Sequence, residues 1–140
     1  MTMTDFLITL FHNSACGTSR NVLGMIRSAG HEPEVVEYAA AGWTEDQLRA
    51  LFAEAGLTPR EALRGKEAAV AAPELLEPDA ADEDILAAMV RHPLLVERPL
   101  VRTPKGAALC RPSERVFDLL DHRPEQFVKE DGEVVRPVRA

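Results

Sequence analysis

Two cysteines carry the obvious chemistry in this 140-residue chain, Cys16 and Cys110. Cys16 stands in His12-Asn13-Ser14-Ala15-Cys16-Gly17-Thr18-Ser19-Arg20, between an apolar run and the start of a helical pattern. A thiol at a helix N-terminus faces unpaired backbone N–H groups and the positive end of the macrodipole. Such a place lowers a thiol pKa from about 8.5 into the range of roughly 3.5–7.5, and the thiolate is the nucleophile. Gly17 admits close backbone approach, and Thr18 and Ser19 offer hydroxyls to a thiolate or a bound oxyanion. The motif is C-x-x-S. Without a second cysteine it closes no local disulfide, so turnover calls for an outside thiol. His12, four residues before Cys16, is placed to influence its ionisation. Cys110 reads as a partly buried thiol, and a disulfide to Cys16 stays open until distances are known.

Tetrahedral oxyanions are held best by the planar fork of arginine. Arg64, Arg98, Arg102 and Arg111 are the late arginines of interest. Arg98 precedes Pro99 and Arg111 precedes Pro112, at the two ends of an expected hairpin. Pro99 is a candidate for a cis bond that would fix the loop facing Cys16.

These residues need a scaffold, and the pattern supplies one. Phe6–Phe11 (FLITLF) reads as a strand buried on both faces. Val22, Met25, Ile26 and Ala29 give a helix that Gly30 stops, and Glu34-Val35-Val36-Glu37 gives a second strand. The three form a right-handed βαβ unit with parallel strands. Thr44-Glu45-Asp46-Gln47 is a capping box before the stripe Leu48, Leu51, Phe52 and Ala55, and Gly56 ends that helix. Thr58-Pro59 opens a short helix that carries Arg64, and Asp82 caps another bearing Ile85, Leu86, Met89 and Val90. Leu100–Arg102 and Ala107–Leu109 flank Thr103-Pro104-Lys105-Gly106 as a hairpin with a type I turn. Ser113 caps a last helix with Val116, Phe117 and Leu120. Residues 121–140 read as a polar tail, mobile in part. The expectation is one thioredoxin-like α/β domain over 1–140, with a four-stranded mixed sheet. A helical insert of about 43–92 separates strands 2 and 3.

A net charge of −7 argues against nucleic-acid binding by counterion release. No apolar run reaches the ~18 residues of a membrane span, and the N-terminus lacks a signal-peptide pattern, so a cytoplasmic protein is expected. No metal site and no bound cofactor are expected.

The segment from His12 to Asn21 resembles the active-site loop of glutaredoxin-type arsenate reductases. So do His92-Pro93-Leu94-Leu95-Val96-Glu97-Arg98-Pro99, the stretch from Thr103 through Leu109-Cys110-Arg111-Pro112-Ser113-Glu114, and Phe127-Val128-Lys129-Glu130-Asp131-Gly132-Glu133. The likeness runs in register over nearly the whole chain. Ser14 stands where that family commonly has proline, and Gly65-Lys66-Glu67-Ala68 departs from its pattern after Arg64.

The resemblance implies that the Cys16 thiolate attacks arsenate and that His12 helps keep Cys16 ionised. It gives Arg64, Arg98 and Arg111 the oxyanion. Glutathione is then the co-substrate, and glutaredoxin resolves the mixed disulfide as arsenite leaves. Two other readings keep the fold. One is glutathione-dependent thiol reduction of a different substrate. The other is a redox regulator docking on RNA polymerase; such proteins typically carry C-x-x-C, and Ser19 weakens that reading.

Overall fold

A computed structural model describes residues 6–137. The chain divides into two compact units. One holds the described residues up to Glu37 and those from Arg98 on, and the other is Tyr38–Glu97.

The first unit contains strands β1 (Thr9–His12), β2 (Glu34–Glu37), β3 (Leu100–Thr103) and β4 (Gly106–Leu109), in the order β2-β1-β3-β4. β1 pairs β2 in parallel, with Leu10 opposite Val35, and pairs β3 antiparallel, with Leu10 opposite Val101. β3 and β4 are antiparallel. This is the mixed sheet of a thioredoxin-like α/β fold, and that expectation is borne out. The ladder starts at Thr9 rather than Phe6, because β2 first meets β1 at Thr9↔Glu34. Phe6 instead stacks on His31, with ring centroids 5.1 Å apart.

Helix α1 (Gly17–Ser28) crosses from β1 to β2 and buries Ser19, Val22, Met25 and Ile26. Val22, Met25 and Ile26 join Leu10, Val101, Val116 and Phe117 in one core. Each aliphatic side chain sealed there contributes about 1.5–3 kcal/mol of apolar burial. Ala29 closes the helix, and Gly30 follows at φ +89°, a conformation that favours glycine.

The C-terminal part corrects two expectations. The segment Ser113–Leu119 is a 3-10 helix with Pro112 at its N-cap, and the Ser113 hydroxyl bonds Glu114 rather than capping. The described residues beyond 120 include ordered strands where the sequence reads as a polar tail, mobile in part. Phe127–Val128 (β5) and Val134–Val135 (β6) form an antiparallel hairpin. Its Phe127 lies over Gly24 of α1, where an added Cβ would sit 2.9 Å from the ring. Strands of two residues leave no periodicity in the sequence; tertiary docking makes them.

The second unit is helical: α2 (Tyr38–Ala41), α3 (Glu45–Ala55), α4 (Gly65–Ala71) and α5 (Asp82–Arg91), with 3-10 turns at Pro73–Leu76 and Pro93–Leu95. The Thr44 capping box and the left-handed Gly56 are both present. The unit extends beyond 43–92 for a reason in its polar bonds. Buried Tyr38 donates its hydroxyl to the Val96 carbonyl at 2.8 Å, and the Glu97 N–H donates to the Ala62 carbonyl at 2.8 Å. Thr58-Pro59 opens a turn and not a helix. Asp82 is the first residue of α5, with Ala81 at the N-cap; Asp82, Glu83 and Asp84 favour the helix by charge at its positive end. Among the described residues, no helix is long and apolar enough to cross a membrane.

Candidate active site

Cys16 is the N-cap of α1, at φ −101° and ψ 123°, and it is half-buried. The loop before it is held by its own polar groups. The Cys16 N–H donates to the Asn13 carbonyl at 3.0 Å, and the Ala15 N–H donates to Asn13 Oδ1 at 2.9 Å. Burial is the largest influence on the Cys16 thiol and pushes its pKa up. The backbone N–H groups of Ser19 and Thr18, with the Arg111 guanidinium, outweigh it and bring the thiol below its ordinary value. A thiol that ionises more readily than usual follows from the helix start and one arginine.

Arg111 joins two parts of the site. Its Nη1 lies 3.9 Å from Cys16 Sγ and donates to the Arg98 carbonyl at 3.0 Å. The backbone beside it is tied to the loop of Pro99, since the Cys110 N–H donates to the Pro99 carbonyl at 2.9 Å. Both Arg98–Pro99 and Arg111–Pro112 are cis; sequence reasoning raised the first and missed the second. Arg98 itself is buried.

His12 ends β1, is buried, and contacts Ser19. Its Nδ1 lies 2.7 Å from Ser19 Oγ, and the Asn13 N–H donates to that same oxygen at 3.1 Å. Burial chiefly lowers the His12 pKa; Glu37 opposes this, while Arg20 and Arg27 add to it. The uncharged ring is therefore favoured more than in a free imidazole. The other ring nitrogen, Nε2, faces Glu37 Oε2 at 3.9 Å. His12 thus braces Ser19, whose N–H is one of the groups favouring the thiolate. Ser19 is fully buried. The sequence offered Ser19 as a hydroxyl donor to a ligand; its hydroxyl is committed to His12 and its backbone serves the sulfur.

Arg64 lies in the second unit. It is the N-cap of α4 and not inside a helix, because Leu63 is held extended by its bridge to Val96 and the Arg64 N–H donates to the Leu95 carbonyl at 2.7 Å. Its Nη1 donates to Glu97 Oε1 at 2.7 Å, with both side chains about one-fifth exposed.

Cys110 contrasts with Cys16. It is fully buried and free, and burial pushes its thiol up to about 12. Both cysteines are thiols, so no disulfide joins them.

A mixed four-stranded sheet with a half-buried cysteine at the N-terminus of the helix that follows the first strand places the chain in the thioredoxin-like class. The comparisons narrow this. Residues 11–119 match the model of the ArsC family. An arsenate reductase of Synechocystis sp. is 56% identical over 95% of this chain and 93% of its own length. The arsenate reductase of Escherichia coli K12 is 44% identical over 91% of this chain and 92% of its own. A solved arsenate reductase from Vibrio cholerae superposes with a TM-score of 0.78 at 30% identity, covering 84% of this chain and all of that one. The chain belongs to the ArsC family.

Proposed function

We propose that this protein reduces arsenate to arsenite with Cys16 as the single protein nucleophile and glutathione and glutaredoxin as the electron source. The observation that carries the reading is the Cys16 thiol, lowered in pKa and 3.9 Å from Arg111 Nη1, in a chain whose relatives are named arsenate reductases.

The steps follow from that arrangement. Cys16 Sγ attacks arsenic(V), and one oxygen leaves as water after protonation. Arg111 and Arg98 carry the charge of the remaining oxygens, a task suited to guanidinium forks. Gly17 and Thr18 line the start of α1, where backbone N–H groups favour an anion. A glutathione thiolate then attacks the Cys16 sulfur, and the S–As bond breaks with its electron pair left on arsenic. Arsenic takes two electrons and departs as arsenite, and the two sulfurs end as a Cys16–glutathione disulfide. A glutaredoxin thiol attacks the glutathione sulfur and returns Cys16 as thiolate. Two features support an outside thiol: Ser19 in place of a second cysteine, and the burial of Cys110. His12 acts by holding Ser19. The resemblance also gives Arg64 a hold on the oxyanion, and Arg64→Ala with unchanged arsenate kinetics would remove it. Glutathione dependence places the protein in the cytoplasm.

The test is arsenate reduction coupled to NADPH oxidation through glutathione reductase, with purified protein, glutathione and glutaredoxin. Arsenite production that needs all three supports the reading. Absence of arsenite above the protein-free rate rejects arsenate as substrate. Arsenite without glutaredoxin rejects the electron route.

A further inference from the structure

We propose that Glu130, on the turn between β5 and β6, is a positioning residue for the Cys16 loop and acts through Arg20. The Arg20 guanidinium uses three nitrogens. Its Nε donates to Glu130 Oε2 at 2.8 Å and its Nη2 to Glu130 Oε1 at 3.0 Å, a bidentate fork. Its Nη1 donates to the Ser14 carbonyl at 2.8 Å, two residues before the nucleophile. The carboxylate thus fixes the plane of the guanidinium, and the guanidinium fixes the loop.

Glu130 is itself held. Its N–H donates to Asn21 Oδ1 at 3.0 Å. Next to it, Lys129 Nζ bonds Glu114 at 2.9 Å and Glu133 at 3.1 Å. The turn is closed by Gly132 N–H to the Lys129 carbonyl at 2.9 Å, and Phe127 is seated over Gly24. The hairpin therefore ties α1 to the segment that follows Arg111-Pro112, through adjacent residues.

Charge points to geometry as the purpose. The charge of Arg20 is answered chiefly by Glu130, and Cys16 is the smallest of its influences. Both side chains are also more than two-fifths exposed, and an exposed pair adds little to stability. What remains is the third donor, aimed at Ser14. The proposal rests on Cys16 being the reactive thiol, and it is independent of the substrate.

The experiment compares Glu130→Gln, Arg20→Lys and the double variant in the full chain, with Arg49→Ala, an exposed ion pair of the second unit, as control. Amide exchange at Ala15 and Cys16 reports the loop, and thiolate absorbance against pH reports ionisation of Cys16. Expected is exchange about tenfold faster in either single variant, no faster in the double, with the thiol pKa not raised. Arg20→Lys keeps the charge and loses the fork, so its agreement with Glu130→Gln is the signature of positioning. Unchanged loop exchange overturns the proposal, as do effects that add in the double variant. If Glu130→Gln also frees the Gly132 amide, the hairpin has come away and Arg20→Lys alone decides. These readouts need no arsenate, so failure of the arsenate assay leaves them standing.

Discussion

The two cysteines of this unit are the same side chain in opposite surroundings. Cys16 sits where a strand hands over to a helix, with the N–H groups of Thr18 and Ser19 and the Arg111 guanidinium nearby, and its thiol is lowered. Cys110 follows β4, fully buried, with its Sγ turned to the Ala108 carbonyl at 3.8 Å, and its thiol is raised to about 12. Burial opposes ionisation at both. What separates them is whether oriented donors are present to offset it. The difference in ionisation between the two is a property of backbone direction and one arginine, which no count of cysteines would show.

The sharpest way to break this contrast is to exchange each sulfur. Cys16→Ser is expected to lower arsenate turnover by more than about 10³-fold, since the nucleophile and its ionisation both go. Cys110→Ala should retain turnover within about twofold, because a buried, protonated thiol takes no part. Comparable losses in coupled turnover assays would make Cys110 a resolving thiol and end the single-cysteine mechanism. Next in size is Arg111. Arg111→Ala should lower kcat/KM by about 10²-fold and move the Cys16 inflection upward, measured as iodoacetamide alkylation rate against pH. The sign follows from the cause: removing a cation beside a thiolate favours the thiol. In the unaltered protein that inflection lies below the ordinary thiol value, because the backbone donors and Arg111 outweigh burial. Arg111→Lys should restore part of the ionisation but not the rate, because an ammonium lacks the fork. An unmoved inflection in Arg111→Ala would leave the backbone donors as the sole cause.

Ser19 shows what the sequence could and could not carry. Its place at the fourth position of C-x-x-S was legible, and so was the absence of a second thiol. The βαβ unit was legible as well, because Val22, Met25 and Ile26 repeat at helical spacing and Gly30 marks the end. The hairpin around Pro104-Lys105 and the Thr44 capping box rest on local chemistry in the same way. The bond from His12 to Ser19 was not legible, since it depends on the ring turning inward at the end of β1. The β5–β6 hairpin was missed for a related reason. Its order comes from Phe127 on Gly24 and from Glu130 on Arg20, pairs more than one hundred residues apart that leave no periodicity.

Ser19→Ala separates the brace from the backbone donor. The Ser19 N–H survives, so most of the lowering at Cys16 should persist. Buried His12 loses its hydroxyl partner, which costs about 1–3 kcal/mol in urea unfolding. A large upward shift of the Cys16 inflection in this variant would show that the brace, and not the helix start, sets the thiolate.

The smallest expected effect concerns Cys110 and alkaline pH. Its native thiol holds its proton up to about 12, whereas in the unfolded chain it ionises near 8.5. Between those values the unfolded state binds fewer protons than the native state, so stability falls as pH rises. The slope from this one group approaches about 1.4 kcal/mol per pH unit once pH is well above the unfolded value. Cys110→Ala should lose some stability at pH 7 through its smaller volume. It should then fall less steeply than the unaltered protein in denaturant titrations from pH 8 to 10. Cys16 cannot produce a slope of that sign, because a lowered thiol binds no more protons in the native state than in the unfolded one. Parallel curves for the two proteins would mean that water or a local opening reaches Cys110, and the contrast between the two cysteines would then be one of degree.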